Sequence, residues 1–415
     1  MPSSSSGPSR QSKRQRRVSS PNKSLSSALA VSLAISIVLG LLFAWTPQFW
    51  GISIVQIGVL LTAGAWLYFT TDIRLPLSAS FLAIVAVWGW LQIAWIGTAT
   101  PAFSRKPALG WAIAAIAFCL ASNVLRRSSA RDIFLAIIVW SAAILSILAI
   151  VQMYSSPTEV LWVFPAQPLT IGTFLYKNQF AAMIEMAVPI SLYWMLLDSD
   201  KLGEGIFCFL ALFAGVIASG SRAGASLVVL ECVAALFLAY RGKKISLTTI
   251  AFLIPVGAAV LGITAYLVGN EFVWTHFQEA YRDSARKELA QSNLEMLKAA
   301  PWPGFGLGSW STIYPKFATF DVGRFANAAH NDWMEWTIEG GFIFAGSLLA
   351  FLLAAVRPAL TSMWGLGIIA VALHSWVDYP TREPVLCILW FCLTAAVLQN
   401  REKSQSEEKI PVVDN

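Results

Sequence analysis

LSSALAVSLAISIVLGLLFAW, Leu25 to Trp45, carries no charge over a length that crosses about 30 Å of hydrocarbon as a helix. A basic stretch precedes it (MPSSSSGPSRQSKRQRRVSSPNKS, residues 1–24), an arrangement shared with secretory signal peptides. Its length, and the apolar runs that follow at once, favour a first membrane helix instead. Those runs fall at about 52–72, 79–98, 108–125, 132–153, 179–197, 204–219, 224–240, 247–268, 333–356, 364–377 and 384–399. The expectation is an all-α polytopic membrane protein with about 12 transmembrane helices. Pro189 and Pro255 lie inside two of the runs, which membrane helices tolerate.

Composition excludes a large soluble protein. Of 415 residues, 57% are hydrophobic, 13% are charged and 18 are tryptophan. The net charge of +6 does not point to nucleic acid, because the basic residues sit in the N-terminal tail and in short connections. Topology accounts for them there. The five cysteines (Cys119, Cys208, Cys232, Cys387, Cys392) lie in apolar runs with no CxxC pair, and read as packing residues.

Charge also sets an orientation. With the N-terminus inside, 18 of the 29 Lys and Arg face the cytoplasm, from Arg10 to Lys23 and at Arg74, Arg126, Arg127, Arg131, Lys201, Arg241, Lys243, Lys244, Arg357, Arg401, Lys403 and Lys409. Short outer connections hold five: Arg105, Lys106, Lys177, Arg222 and Arg382. The expected organisation is a disordered basic tail over 1–24, helices one to nine over 25–268, an outer loop over 269–332, helices ten to twelve over 333–399, and a loose inner tail over 400–415.

The outer loop is the longest interruption, and long loops in compact proteins are uncommon and usually functional. It ends in Asn327-Ala328-Ala329-His330-Asn331-Asp332-Trp333-Met334-Glu335. Asn331 or Asp332 suits the N-cap of the next span, with His330 just before it and Glu335 and Glu339 one turn apart. The positive end of that helix favours neutral imidazole and hence a base. The bland reading is a capping segment whose histidine packs at the interface. Within the loop, Phe277 to Ala299 has the periodicity of an amphipathic helix, with Arg282 and Arg286 at i and i+4. Such a basic stripe either faces headgroups or holds an anion.

Two other outer turns are polar. In Ser219-Gly220-Ser221-Arg222-Ala223-Gly224, small residues leave the Arg222 fork open to phosphate oxygens, although a boundary arginine also snorkels. His374 and Asp378 stand at i and i+4 and are expected to pair as a support. No Walker loop, GxSxG, HExxH, Rossmann fingerprint or DxD-like cluster is present, so no metal or cofactor is expected.

At these residues the chain resembles the O-antigen ligase and O-antigen polymerase superfamily of bacterial envelope proteins. Four segments carry the resemblance. The stretch from Gly172 through Lys177-Asn178 to Ala181 and Pro189 is similar to an asparagine-containing motif ahead of a span. Ser219 to Gly224 resembles an SGSR-G turn, and Arg286 through Pro303 to Gly308 the R…P-x-G-x-G-x-G part of a large periplasmic loop. His330-Asn331 with Gly341 fits a His-Asn-x9-Gly signature, followed by His374-x3-Asp378. Ala290 and Phe344 depart from the pattern, at positions where Trp and a small residue or Tyr are usual.

The resemblance implies a GT-C-like transferase at the periplasmic face of the bacterial inner membrane. It would work without metal or nucleotide sugar, on a glycan carried by undecaprenyl diphosphate. Carried over by position, Arg222 and Arg286 bind the diphosphate and His330 helps activate an acceptor hydroxyl. Arg282, Lys177, Asn178 and Asn331 join as substrate-binding residues, with Glu335, Glu339, His374 and Asp378 in support. A ligase would deliver the glycan to lipid A-core; a polymerase would extend another lipid-linked glycan. A lipid-linked-glycan transporter or flippase is the more distant alternative, since transporters usually place charge near the midplane of discontinuous helices. A scaffold that docks a partner through the loop is another.

Overall fold

The computed structural model describes residues 23–46, 49–70, 72–167, 170–269, 281–319 and 326–408, at 23, 49, 260–261, 264–265, 267–269, 281–287 and 400–408 for the backbone alone. The basic tail at 1–22 lies outside the described residues. The described chain is almost entirely helical: α1 (Lys23–Leu42), α2 (Phe49–Phe69), α3 (Leu77–Leu91), α4 (Pro101–Val124), α5 (Ser128–Ser155), α6 (Lys177–Leu197), α7 (Leu202–Ser219), α8 (Arg222–Arg241), α9 (Leu247–Gly269), α10 (Tyr281–Ala299), α11 (Asp332–Thr361), α12 (Gly365–His374) and α13 (Pro384–Glu408). A two-strand hairpin, Glu159–Val160 with Phe164–Pro165, is the one sheet among the described residues.

Nine helices among the described residues are long and apolar enough to cross a membrane. Three more apolar helices are shorter: Leu247–Ala259, Gly365–His374 and Pro384–Gln399. α13 continues as helix to Glu408, into the stretch expected to be a loose tail.

Membrane helices associate through close packing of small residues and shared hydrogen bonds rather than hydrophobic segregation. A Cβ on Gly58 would stand 2.3 Å from Ser36 Oγ, so α1 and α2 meet at their backbones. Ser32 and Thr62 hydroxyls bond across the same seam at 2.7 Å. α6 forms the centre, with sixteen buried residues along its length. It packs against α5, α7, α8 and α12.

α11 is broken at Gly341, whose φ of 72° and ψ of −178° fit no residue with a Cβ. The break frees carbonyls inside the protein, and such groups must find donors. Phe305 N donates to Ile338 O at 3.0 Å, Gly306 N to Glu339 O at 2.9 Å, and Trp88 Nε1 to Gly340 O at 2.6 Å. Gln92 Nε2 donates to Glu339 O at 2.8 Å, and Phe342 N donates to Pro301 O at 2.8 Å. The turn Pro301–Gly308 therefore threads into the broken helix. Gly306 (φ 99°) is needed there because a Cβ would stand 2.3 Å from Thr98.

The described part of the long loop is thus folded. α10 packs its buried face (Leu289, Met296) on Trp310, Ile313, Tyr314 and Ile338. Glu288 ties the cap together, accepting from Ser292 Oγ, Tyr314 Oη and Thr319 N. Residues 270–280 and 320–325 lie outside the described residues.

Candidate functional site

The polar turns gather at one end of the bundle. Gly220 ends α7 in the left-handed conformation, φ 63° and ψ 18°, which reverses the chain. Ser221 caps α8 by accepting from Gly224 N at 3.1 Å. Gly224 lets α8 approach α6, since its Cβ would lie 2.5 Å from that of Ala181. These choices place Arg222, which is exposed, at the first position of α8. Lys177 Nζ, from the start of α6, donates to Gly220 O at 3.1 Å and clamps the two turns.

The neighbour of Lys177 leads to the histidine. Asn178 is buried and donates to Asp378 Oδ2, which also accepts from Tyr176 Oη at 3.3 Å. The other oxygen of Asp378 faces His330 Nδ1 at 3.3 Å. His330 takes a left-handed φ of 52°, rare for a residue with a Cβ, directly before α11. Its ring meets Tyr379 edge-on at 5.0 Å between centroids, and Tyr379 stacks on Tyr176. The side chain of His330 remains 31% exposed while that of Asp378 is 2% exposed, so the carboxylate lies behind an accessible imidazole.

Burial works against ionisation of Asp378. The His330 hydrogen bond and charge, together with the Tyr379 backbone N–H, outweigh it and hold the carboxyl below its ordinary range. Tyr379 moves the opposite way, raised first by burial and then by the Asp378 charge.

The expected N-cap is Asn331, whose Oδ1 accepts from Met334 N at 2.9 Å. Asp332 instead anchors α11 to the next turn, accepting from Thr381 N at 3.0 Å and Ser375 Oγ at 3.2 Å. Glu335 accepts from Ala329 N at 2.7 Å and pairs with Arg382 Nη1 at 2.9 Å. Glu339 accepts from Trp310 N at 2.9 Å. Both glutamates therefore hold the loop that carries His330.

One expected pairing is corrected. Helix spacing alone put His374 on Asp378, but the side chain of His374 turns inward to Glu185 of α6, Nδ1 to Oε1 2.7 Å, with both side chains fully buried. Asp378 lies in the turn after α12 and is drawn to His330 and Asn178 instead. Arg282 and Arg286 fall in the first turns of α10, and their side chains lie outside the described residues.

Sequence reasoning also passed over Arg382, Tyr176, Tyr379 and Glu185. A glutamate inside an apolar run was the available signal for Glu185. Arg382 was counted only as topology. Burial lowers its basicity, but Glu335 and Glu339 more than offset that and keep it charged.

A cavity of about 580 Å³ opens beside this corner, with Trp111, Trp336, Lys106, Glu339, Arg382 and Glu383 among its walls. His330, Asp378 and Arg222 are not part of its lining. Burial pushes the Glu383 carboxyl up to about 7, partly offset by Lys106.

Fold and corner together define a multi-pass membrane protein with one polar end that carries the His330–Asp378 pair. Residues 207–346 match the family model described as O-antigen ligase, and this supports the O-antigen ligase superfamily and a glycosyl-transferring membrane enzyme. The matched stretch runs from α7 through the Arg222 turn, the cap and His330 to just beyond the break at Gly341. No curated protein matches the chain.

Proposed function

We propose that the chain is an O-antigen ligase-like glycosyltransferase, moving a glycan from undecaprenyl diphosphate to lipid A-core or a similar acceptor at the periplasmic face of the inner membrane. The observation that carries this reading is the pairing of an accessible His330 with a buried, ionised Asp378 beside the Lys177–Gly220–Arg222 clamp. Asp378 accepts from Nδ1–H, so Nε2 is the basic nitrogen of His330. Nε2 takes the proton of an acceptor hydroxyl as its oxygen bonds to the sugar carbon. The old bond from that carbon to the diphosphate breaks, and its electron pair leaves on the phosphate oxygen.

Cations complete the step. The Arg222 fork matches two phosphate oxygens, with Lys177 beside it and Arg286 and Arg282 assigned by resemblance. Diphosphate is a good leaving group once its charge is met, so a base and cations suffice. Extension of a second lipid-linked glycan, the polymerase reaction, uses the same groups with a different acceptor.

His330→Ala tests the base. Transfer from a lipid-diphosphate glycan should fall about 10²–10⁴-fold with donor binding retained. Unchanged transfer removes the base; lost donor binding makes His330 a diphosphate ligand. Movement of the lipid without covalent transfer would mean a flippase. In a deletion strain, free polymer left on the lipid carrier indicates a ligase, and single repeat units on lipid core indicate a polymerase.

A further inference from the structure

The cavity beside the corner has no part in the chemistry assigned to His330, Asp378 and Arg222. The last turn of α1 and the first turns of α2, α4 and α13 surround it, beside Glu335–Glu339 of α11 and the Gly308–Thr312 turn of the cap. Its volume of about 580 Å³ is that of a small-molecule site, for which about 300–1,000 Å³ is usual.

Two kinds of wall meet there. One is apolar, with Phe43, Ile52, Val55 and Val385, and the indoles of Trp111 and Trp336 add flat faces to it. The other carries charge of both signs, Lys106 and Arg382 against Glu335, Glu339 and Glu383.

That mixture selects a ligand. An ionised carboxylate only accepts hydrogen bonds, whereas an ammonium or guanidinium only donates them. A phosphate placed here would face three carboxyl groups, and a ligand cation would face two positive side chains. A hydroxyl both donates and accepts, so a ring of hydroxyls can satisfy the two sets at once. Glu383, pushed up to about 7 by burial, can itself take either role near neutral pH. A carboxylate offers about four lone-pair sites, more than Glu335 and Glu339 spend on Ala329 N, Arg382 and Trp310 N. A sugar ring also has an apolar C–H face, which an indole can cover while the hydroxyls at its rim reach the charged wall.

The cavity is tied to His330 without containing it. Glu335 accepts from Ala329 N, and Arg382 Nη1 donates to Asn327 O. Two wall residues thus hold the strand that ends in the histidine. Glu335 also lies one turn into α11, a rise of about 5 Å from its start.

We propose that this cavity is a sugar subsite, taking an uncharged, hydroxyl-rich unit of a glycan near the reacting carbon but apart from it. The assignment of that glycan to a donor or an acceptor rests on the transferase reading; the chemistry of the walls does not.

Photo-crosslinking in cells reads the occupant without any assay of transfer. p-Benzoylphenylalanine in place of Thr312, which lines the cavity, should capture an adduct that stains for sugar after periodate oxidation. Gly110 of α4 provides a block, because it lines the cavity and nothing lies within 4 Å of its would-be Cβ. Gly110→Leu should melt no lower than the wild type, since leucine is also the better helix former. It should raise KM about tenfold or more for one substrate, with kcat little changed. A higher KM for the undecaprenyl-diphosphate glycan places the donor's sugar in the cavity, and a higher KM for lipid A-core places the acceptor's. Lys106→Met, which removes donors from the charged wall, should raise the same KM.

A phospholipid adduct without sugar, or no adduct at all, overturns the proposal. So does Gly110→Leu with wild-type KM for both substrates, a result that leaves the transferase reading standing. Should Gly110→Leu misfold, Lys106→Met and the adduct still decide. A sugar-bearing adduct in a protein that transfers nothing keeps the subsite and removes only the transferase reading.

Discussion

Replacing Gly341 by alanine tests how the cap is joined to the membrane bundle. The backbone there, φ 72° and ψ −178°, costs a residue with a Cβ about 1–3 kcal/mol before any contact is considered. The new Cβ would stand 2.0 Å from Trp302 O and 2.8 Å from Gly304 N. No flexible side chain can yield, so the turn must withdraw. Phe305 N then leaves Ile338 O, and a buried carbonyl left unmet costs about 1–3 kcal/mol, while Glu339 O loses Gly306 N but keeps Gln92 Nε2. The combined loss is about 2–6 kcal/mol, or a drop of roughly 2–7 °C in the melting midpoint of a chain this size. The assay is thermal unfolding in detergent, beside transfer activity, with Gly346→Ala as the contrast. Gly346 lies in the same helix with nothing within 4 Å of its would-be Cβ, so alanine there should stabilise by up to about 1 kcal/mol. A Gly341→Ala protein that melts with the wild type, or a Gly346→Ala protein that melts below it, refutes the argument.

Arg222→Lys should impair transfer nearly as much as Arg222→Ala, because an ammonium cannot reproduce a two-pronged contact with phosphate; a lysine variant keeping most of the activity shows that only charge is used. Asp378→Asn should lower transfer about tenfold or more by releasing the imidazole from its orientation, a loss that wild-type-like kinetics would contradict. Because the Asp378 carboxyl is held below its ordinary value, its support for His330 is complete above the unfolded pKa of about 3.9 and fades only as pH falls through the lower folded value. An assay from about pH 5.5 to 8.5 should therefore show no acidic limb that Asp378→Asn removes. A cysteine at Ser311 should react with an impermeant reagent in spheroplasts while one at Ser246 stays protected, and the reverse pattern inverts the orientation.

The helices were legible because lipid leaves a spanning backbone few alternatives, and apolar runs of sufficient length announce themselves. His330, Asn331 and Arg222 were legible because polar residues between small or apolar ones at a span boundary need a reason. What escaped was who bonds to whom. Helix spacing put His374 beside Asp378, yet the choice depended on Glu185, 189 residues earlier in the chain. Arg382 looked like a boundary charge until folding laid it on Glu335. Gly341 belonged to a recognised pattern, but the broken helix behind it appears only when the Pro301–Gly308 turn is seen inside it.

The break in α11 also fixes a depth. From Phe342 to Thr361 the helix has twenty residues, about 30 Å, which by itself matches the hydrocarbon thickness. The segment before the break, Asp332 to Gly340, is then surplus to the crossing and stands at headgroup level with the imidazole at its tip. The isoprenoid-linked donor proposed above would keep its tail among the acyl chains with its diphosphate at that same height. Nothing has to be lifted out of the bilayer to be reached, and the acceptor can arrive by lateral diffusion in the same leaflet.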